Sequence, residues 1–279
     1  MRRVLTLLLL ALSVSFTELT AQRVEKSTYT SAELSNQTIS LLTWTTVRMD
    51  STYDARPGEK LKTLEVLAKY KPEVDKINEP IGFCPTGLER KSPCGPMSCW
   101  ATDAYLEYAR NFADTSRSIN FPDGLKVDFS LMNFGGMRTE MPKGNVSKYD
   151  ILSIFPFDNY LTYIQLNGRK LKELIEFFSR TYPQAMSAGI RLVVDGYRVK
   201  ECTVNGKPLE DDKNYVIATI DFLVDGGDNL YVLKEADWVI KTNVKLMDLF
   251  ISYIEGLTAR GANIETFVDE RCKVVNRRK

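Results

Sequence analysis

The spacing of apolar positions changes along the chain, and each change predicts a different element. Leucines recur at helical spacing over residues 60–76, which predicts a helix that Pro72 bends or ends. Residues 80–96 are rich in Gly and Pro and are predicted as a loop. Residues 97–112 again place apolar and aromatic side chains on one stripe, so a second helix is expected there.

From residue 126 onward, short β-branched and aromatic runs alternate with amphipathic stretches. Strands are predicted at residues 39–49, 127–132, 160–166 and 215–219, a hairpin at 190–194 and 197–204, and helices at 169–182 and 244–257. Turns are expected at Asn167-Gly168 and Asn205-Gly206. This mixture predicts an α+β or mixed α/β fold with one continuous core.

The first residues have the pattern of an export signal. Arg2 and Arg3 precede an apolar run that is too short to span a bilayer, and Ala21 suits a cleavage site. We therefore expect a signal peptide at 1–21, a polar tail at 22–38 and a domain at 39–279. The mature chain would be periplasmic or secreted, with no stable membrane span; an uncleaved membrane anchor is the alternative.

Charge and cysteine content limit the partners and the cross-links. Lys and Arg number 37 against 36 Asp and Glu, so the chain lacks the basic excess that nucleic-acid binding requires. Five cysteines are an odd number, which leaves at least one thiol unpaired within a monomer. Three of them lie in residues 84–99, where a local disulfide is expected after export, with a zinc site as the alternative.

The sequence contains no histidine. Two-metal phosphatases combine His and Asp ligands, and Ser-His-Asp and Cys-His hydrolases need an imidazole base. All of these catalytic classes are excluded for this chain. Catalysis by carboxylates remains open, although no pair of carboxylates has a spacing that argues for it. We therefore predict no catalytic residue, no metal ligand and no cofactor in this sequence.

A glycine-containing turn follows the predicted strand at 127–132. It runs Asn133-Phe134-Gly135-Gly136-Met137-Arg138. The glycines allow a ligand to approach the backbone, the Asn amide can both donate and accept hydrogen bonds, and the Arg guanidinium can hold phosphate or ribose oxygens. Taken alone, the turn fits an ordinary strand end better than a binding site.

Two further segments carry aromatic residues beside predicted strands. Phe157 follows a proline just before one strand, and Phe222 lies just after another, ahead of Gly226, Gly227 and Asp228. Two facing rings can sandwich a flat base, and a carboxylate can accept from two ribose hydroxyls. For such a sandwich the rings would face each other across about 7 Å. The alternative for each ring is a place in the core.

The three segments occur in the order Asn-x-Gly-Gly-x-Arg, Phe-Pro-Phe and Asp-Phe-Leu-x-x-Gly-Gly-Asp, which resembles the C-terminal domain of the 5'-nucleotidase family. The resemblance covers about residues 40–279 and implies a domain that binds the nucleoside part of the substrate. It implies stacking by Phe157 and Phe222, contacts from Asn133 to the base and from Arg138 to the ribose or phosphate side, and ribose binding by Asp228. The cleft walls would be shaped by Gly135, Gly136, Gly226 and Gly227. A further basic contact is assigned to Arg90 or Lys91.

The family's usual architecture places a two-metal phosphoesterase before this domain, whereas only a signal peptide and a tail are expected here. The resemblance therefore implies the substrate-recognition half of a 5'-nucleotidase-type hydrolase in nucleotide catabolism. The divalent metals would lie on a separate metallophosphoesterase chain. A non-catalytic extracytoplasmic nucleoside or nucleotide binder is the alternative, and a degenerate domain that binds nothing is the third hypothesis.

Overall fold

The computed structural model describes residues 59–116 and 118–277. The expected signal peptide, tail and first strand at 39–49 lie outside the described residues. The chain divides into two units, residues 1–74 and 75–279, and the sheets and the candidate site described below belong to the second.

The described residues form six α-helices and eleven strands, numbered here in chain order. The helices are α1 (Glu59–Ile77), α2 (Pro96–Thr115), α3 (Lys148–Ile154), α4 (Gly168–Arg180), α5 (Asp221–Val224) and α6 (Leu246–Ala259). The strands are β1 (Pro80–Cys84), β2 (Phe129–Met132), β3 (Gly144–Ser147), β4 (Tyr160–Asn167), β5 (Ala185–Met186), β6 (Ile190–Asp195), β7 (Arg198–Val204), β8 (Lys207–Pro208), β9 (Asn214–Ile220), β10 (Trp238–Lys245) and β11 (Cys272–Val275).

A five-stranded sheet in the order β10-β4-β9-β2-β5 forms the centre of the unit. Strand β9 lies in its middle, and its β-branched and aromatic residues are buried from Tyr215 to Ile220. It pairs antiparallel with β4 and parallel with β2. A near-continuous apolar run of this kind is typical of a strand covered on both faces.

Two smaller sheets complete the fold. Strands β11, β6, β7 and β8 form a four-stranded sheet in that order, in which β11 runs parallel to β6. Strands β1 and β3 form an antiparallel pair. The mixed α/β architecture expected from the sequence is therefore confirmed.

Aromatic side chains connect helices α2 and α6 within the core. The rings of Phe155 and Phe250 stack with centroids 4.2 Å apart, and Trp100 stacks on Phe250 at 5.4 Å. Such pairs contribute about 0.5–1.5 kcal/mol each beyond their burial. Tyr105 is fully buried and donates its hydroxyl proton to the carbonyl of Thr219 on β9, so α2 is bound to the central strand.

Helix α4 follows the predicted amphipathic pattern. Leu171, Leu174 and Phe178 are buried on its inner face. The expected turn at Asn167-Gly168 is instead the start of this helix, since the Asn167 side chain accepts a hydrogen bond from the Lys170 backbone and caps it. Gly168 is required there because a Cβ would overlap the backbone of residue 210.

Two other expectations are changed by the structure. Pro72 lies inside α1, which continues to Ile77, so of the bend or end expected there the end is excluded. The stretch predicted as a loop contains strand β1, whose edge pairs with β3. None of the helices in the described part of the chain is long and apolar enough to cross a bilayer.

Candidate functional site

The three predicted binding segments adjoin the same end of the central sheet, where β2 and β9 end and β4 begins. In the parallel pairing of β2 with β9, Ser130 lies beside Ala218, so both strands end at the same level. Strand β4 is antiparallel to β9, with Leu161 beside Ile220, so β4 begins where β9 ends. Strand ends of mixed α/β sheets commonly form ligand sites.

The turn after β2 is built around the side chain of Asn133. This residue is only 8 % exposed. A Cβ at Gly136 would overlap the Asn133 amide, so glycine is required for the amide to fold over the turn. The Gly136 N–H also donates to the Asn133 backbone carbonyl at 3.0 Å. The turn is therefore closed by a backbone hydrogen bond, with the Asn133 amide packed against Gly136.

Arg138 joins this turn to the segment that carries Phe157. Its backbone N–H donates to the Ile154 carbonyl at 2.8 Å, and its guanidinium donates to the Gly135 carbonyl at 3.3 Å. The guanidinium carbon lies 5.8 Å from the centroid of the Phe157 ring. The side chain is exposed, so its remaining donors are available to a ligand.

Phe157 is held at the surface by contacts of its neighbours. Its ring is 48 % exposed, which excludes the alternative that it is a core residue. The Asp158 carboxylate accepts from Lys245 at 2.8 Å and raises the pKa of that ammonium group. The Leu246 N–H donates to the Asn159 carbonyl, also at 2.8 Å. The loop is thus attached to the junction of β10 and α6.

Asp221 links the Phe157 and Phe222 segments directly. One of its carboxylate oxygens accepts from the Tyr160 N–H and from the Phe222 N–H, each at 2.9 Å. The same oxygen therefore binds the first residue of β4 and the backbone of Phe222. Sequence analysis included Asp221 in the motif but gave it no role.

Phe222 is 42 % exposed and rests against the glycine-rich loop that follows it. A Cβ at Gly227 would overlap the Phe222 ring, so only glycine lets the loop approach this closely. Gly226 and Asp228 both have positive φ, of 93° and 51°, and the Asp228 carboxylate is exposed at the end of the turn.

Gln184, which the sequence did not mark as a candidate, contacts two of the candidate segments. Its side-chain oxygen accepts from the Phe134 N–H at 2.8 Å, and its side-chain nitrogen lies 3.5 Å from an oxygen of Asp228. One amide therefore connects the Asn133 turn with the Asp228 loop. The signal available was weak, since Gln184 precedes a two-residue strand without any motif of its own.

Arg90, one of the two basic candidates, also lies against this turn. Its Nε donates to the Met137 carbonyl at 2.5 Å, and its guanidinium carbon lies 4.2 Å from the centroid of the Phe134 ring. Lys91, the other candidate, packs instead against Gly95. The structure therefore places Arg90 rather than Lys91 beside the predicted site residues.

These contacts connect the three segments that carry the predicted site residues, of which Asn133 and Gly136 are buried. The set comprises Asn133, Gly135, Gly136, Arg138, Phe157, Phe222, Gly226, Gly227 and Asp228. The facing of the two phenylalanine rings across about 7 Å stays a prediction. A cavity of about 610 Å³ between Thr86 and Val268 is lined by none of these residues. The candidate site, at the ends of interior strands, is therefore distinct from that cavity.

A two-metal phosphatase needs His and Asp ligands for two closely spaced ions. Within the described residues, one group of three could hold an ion, namely Cys94, Cys99 and Asp269. Two thiols and one carboxylate do not provide the His and Asp ligands of two closely spaced ions. The residues that the structure describes therefore do not fit a two-metal phosphoesterase centre.

A family model described as the 5'-nucleotidase C-terminal domain matches residues 76–235, more than half of the chain. The chain belongs to this family. The match begins next to the start of the second unit and includes every predicted site residue.

Known relatives are longer than this chain. Protein UshA of Yersinia enterocolitica is 29% identical over 133 residues, which are 46% of this chain and 24% of that protein. An apyrase of Tabanus yao is 28% identical over 206 residues, or 64% of this chain and 36% of the apyrase. The crystal structure of a 5'-nucleotidase precursor from Thermus thermophilus superposes with a TM-score of 0.64 at 21% identity, covering 80% of this chain and 44% of that chain.

Proposed function

We propose that this 5'-nucleotidase C-terminal domain binds the nucleoside part of a nucleotide at the edge formed by the ends of β2 and β9 and the start of β4. Phe157 and Phe222 would stack on the base, with Asn133 beside it. Asp228 would accept hydrogen bonds from the ribose hydroxyls, and Arg138 would contact the ribose or phosphate.

The observation that supports this proposal most strongly is the convergence of exposed rings and charges. Two phenylalanines, one just before β4 and one in α5, remain about half exposed although aromatic rings normally gain stability by burial, and hydrogen bonds hold both segments in place. Arg138 lies beside one ring, and Gly227 contacts the other next to Asp228. Flat apolar faces beside a carboxylate and a guanidinium match the chemistry of a nucleoside with a phosphate.

We propose further that hydrolysis requires a separate metallophosphoesterase chain that supplies the divalent metals. A two-metal phosphatase holds its ions about 3.5–4 Å apart and generates a bound hydroxide. The sequence has no histidine, and the described thiol and carboxylate group does not fit such a centre. The domain would orient the nucleoside and leave the phosphate facing the partner, in a nucleotide-degrading reaction outside the cytoplasm.

The carboxylate of Asp228 gives a test of ribose recognition. We expect Asp228→Ala to remove the preference for adenosine over 2',3'-dideoxyadenosine, weakening adenosine binding by about 10–150-fold. Hydrogen bonds to charged groups contribute about 1.5–3 kcal/mol, which corresponds to that range. Isothermal titration calorimetry with both nucleosides measures the effect.

Two control variants separate the carboxylate from other effects. Asp228→Gly removes the side chain without strain at the positive φ and should lose the preference equally. Asp212→Ala removes an exposed carboxylate just before the opposite end of β9 and should keep it. An Asp228 variant that still prefers adenosine would show that this carboxylate does not bind the ribose.

Nucleotide hydrolysis assays test whether a second chain is required for catalysis. The purified chain is assayed with adenosine 5'-monophosphate and with Mg²⁺, Mn²⁺ or Zn²⁺, first alone and then with a metallophosphoesterase from the same organism that lacks a domain of this kind. We expect no phosphate release by the chain alone and release in the mixture, lost when Phe157→Ala replaces the native chain.

Each other outcome has a defined meaning. Metal-dependent turnover by the chain alone would contradict the two-chain proposal. Absence of turnover in the mixture, with nucleoside binding intact, would favour the alternative of a pure binding module. Absence of nucleoside binding would contradict the proposed site itself.

A further inference from the structure

Two cysteines lie next to each other at the start of α2. The sulfur atoms of Cys94 and Cys99 are 3.1 Å apart, and the structure has them as free thiols. A disulfide brings two sulfurs to about 2.05 Å, so a small side-chain movement would suffice for bonding. The backbone between them is short and well fixed, since the Ser98 hydroxyl accepts from the Gly95 N–H at 2.9 Å.

The surroundings make the two sulfurs chemically different. A hydrogen bond from the Cys99 thiol lowers the pKa of Cys94 to about 7, burial opposes this shift, and the nearby Arg271 guanidinium supports it. The same hydrogen bond and burial raise the pKa of Cys99. Cys94 is therefore the better nucleophile near neutral pH, and it is only partly buried.

We propose that Cys94 and Cys99 form an intramolecular disulfide that closes the loop before α2. The Cys94 thiolate attacks a sulfur of an external disulfide, such as glutathione disulfide, and releases one thiolate from it. Cys99 then loses its proton and attacks the Cys94 sulfur of the mixed disulfide, which releases the second thiol. Both cysteines are oxidised, and the external disulfide is reduced to two thiols.

The other candidate for these sulfurs is a metal ion, and the neighbouring carboxylate argues against it. Asp269 completes the group of three, but its Oδ1 already accepts from the Arg271 Nε at 2.7 Å. A metal would have to displace this bond and would lie beside a buried guanidinium, which repels a cation. A four-coordinate zinc site would also need another ligand.

The remaining cysteines are poorly placed to form a second bridge among themselves. Cys202 and Cys272 both lie opposite Leu192, on the two strands that flank β6. They are thus two strand spacings apart, about 9.5 Å, which exceeds the range that a disulfide spans. Cys84 is fully buried. We expect one disulfide and three thiols.

Peptide mapping tests the inference without reliance on ligand binding. Cys94 and Cys99 fall in a single tryptic peptide, residues 92–110, because no Lys or Arg lies between Lys91 and Arg110. The full chain is exposed to glutathione disulfide, denatured, alkylated and digested. This peptide should be about 2 Da lighter than its dithiol form and free of alkyl groups, and prior reduction should add two alkyl groups.

Thermal unfolding provides a second readout. Reduction should lower the Tm of the native chain by about 4–8 °C, because closing a short loop restricts the unfolded chain. Reduction should leave the Tm of Cys94→Ser unchanged, while Cys202→Ser should respond like the native chain. Alkylation of both cysteines in the oxidised protein would overturn the inference. A cross-link to Cys272, or protection that a chelator rather than a reductant removes, would also overturn it.

Discussion

Asp103→Ala is expected to lower the free energy of unfolding by about 3 kcal/mol, which corresponds to a Tm decrease of about 6–12 °C. Arg271 is 4 % exposed, and its guanidinium forms two hydrogen bonds with the Asp103 carboxylate, at 2.5 and 2.8 Å. Burial disfavours the charged form, but the hydrogen bonds that the guanidinium donates to Asp103 and Asp269 outweigh it and raise the pKa of Arg271. Without Asp103 the buried cation keeps one partner, and the Ala188 N–H also loses its acceptor.

Denaturant unfolding measures the stability of matched variants and compares the buried ion pair with an exposed one. Arg169 and Asp212 form an ion pair of 2.7 Å, but their side chains are 69% and 88% exposed. Asp212→Ala should therefore change stability by less than about 1 kcal/mol. Combining Asp103→Ala with Arg271→Met should recover part of the loss, because no buried charge remains unpaired. Equal effects of the Asp103 and Asp212 variants would contradict this explanation.

Phe222→Ala is expected to weaken nucleoside binding by about 5–150-fold while changing stability little. Stacking of a base on an aromatic ring contributes about 1–3 kcal/mol, which sets the expected range. The ring is 42 % exposed, so its removal takes away little core packing and should change the free energy of unfolding by less than about 1 kcal/mol. Calorimetric titration with adenosine and a thermal melt measure the two quantities on one preparation.

The matched controls concern aromatic character and position. Phe222→Tyr keeps a stacking face and should retain most of the affinity. Phe267→Ala removes a ring that is 80 % exposed but belongs to none of the three binding segments, and should leave affinity unchanged. Unchanged affinity in both Phe222→Ala and Phe157→Ala would mean that the rings do not hold the base.

Much of the fold could be predicted because several helices and strands show the periodic spacing of apolar residues that is typical of their type. Helix α4 and the hairpin of β6 and β7 follow local apolar patterns that tertiary contacts reinforce. Strand β1 was missed because its residues, Pro-Ile-Gly-Phe-Cys, combine two turn formers with too few apolar positions. Only the pairing with β3 makes this segment a strand, and pairing is not visible in a local pattern.

The sequence predicted which residue types form the candidate site, but it predicted only part of their arrangement in space. Glycines, aromatics and charges beside strand ends marked Asn133, Phe157 and Phe222 as candidates. Their convergence depends on β2 lying beside β9, although more than 80 residues separate the two strands in sequence. Gln184 contacts the turn after β2 from 50 residues away, so no local pattern could show it, and only the structure distinguishes Arg90 from Lys91.

The long separation between β2 and β9 also has a consequence for synthesis of the chain. A ribosome releases the turn after β2 and the Phe157 loop well before β9 and the Asp228 loop. Contacts between distant segments form late, since the intervening chain must first be ordered. A nascent chain that stops before residue 214 lacks strand β9 and the residues after it. Its Phe157 loop therefore lacks the contact with Asp221. Competence to bind is therefore acquired only after the loop that carries Asp228 has been synthesised.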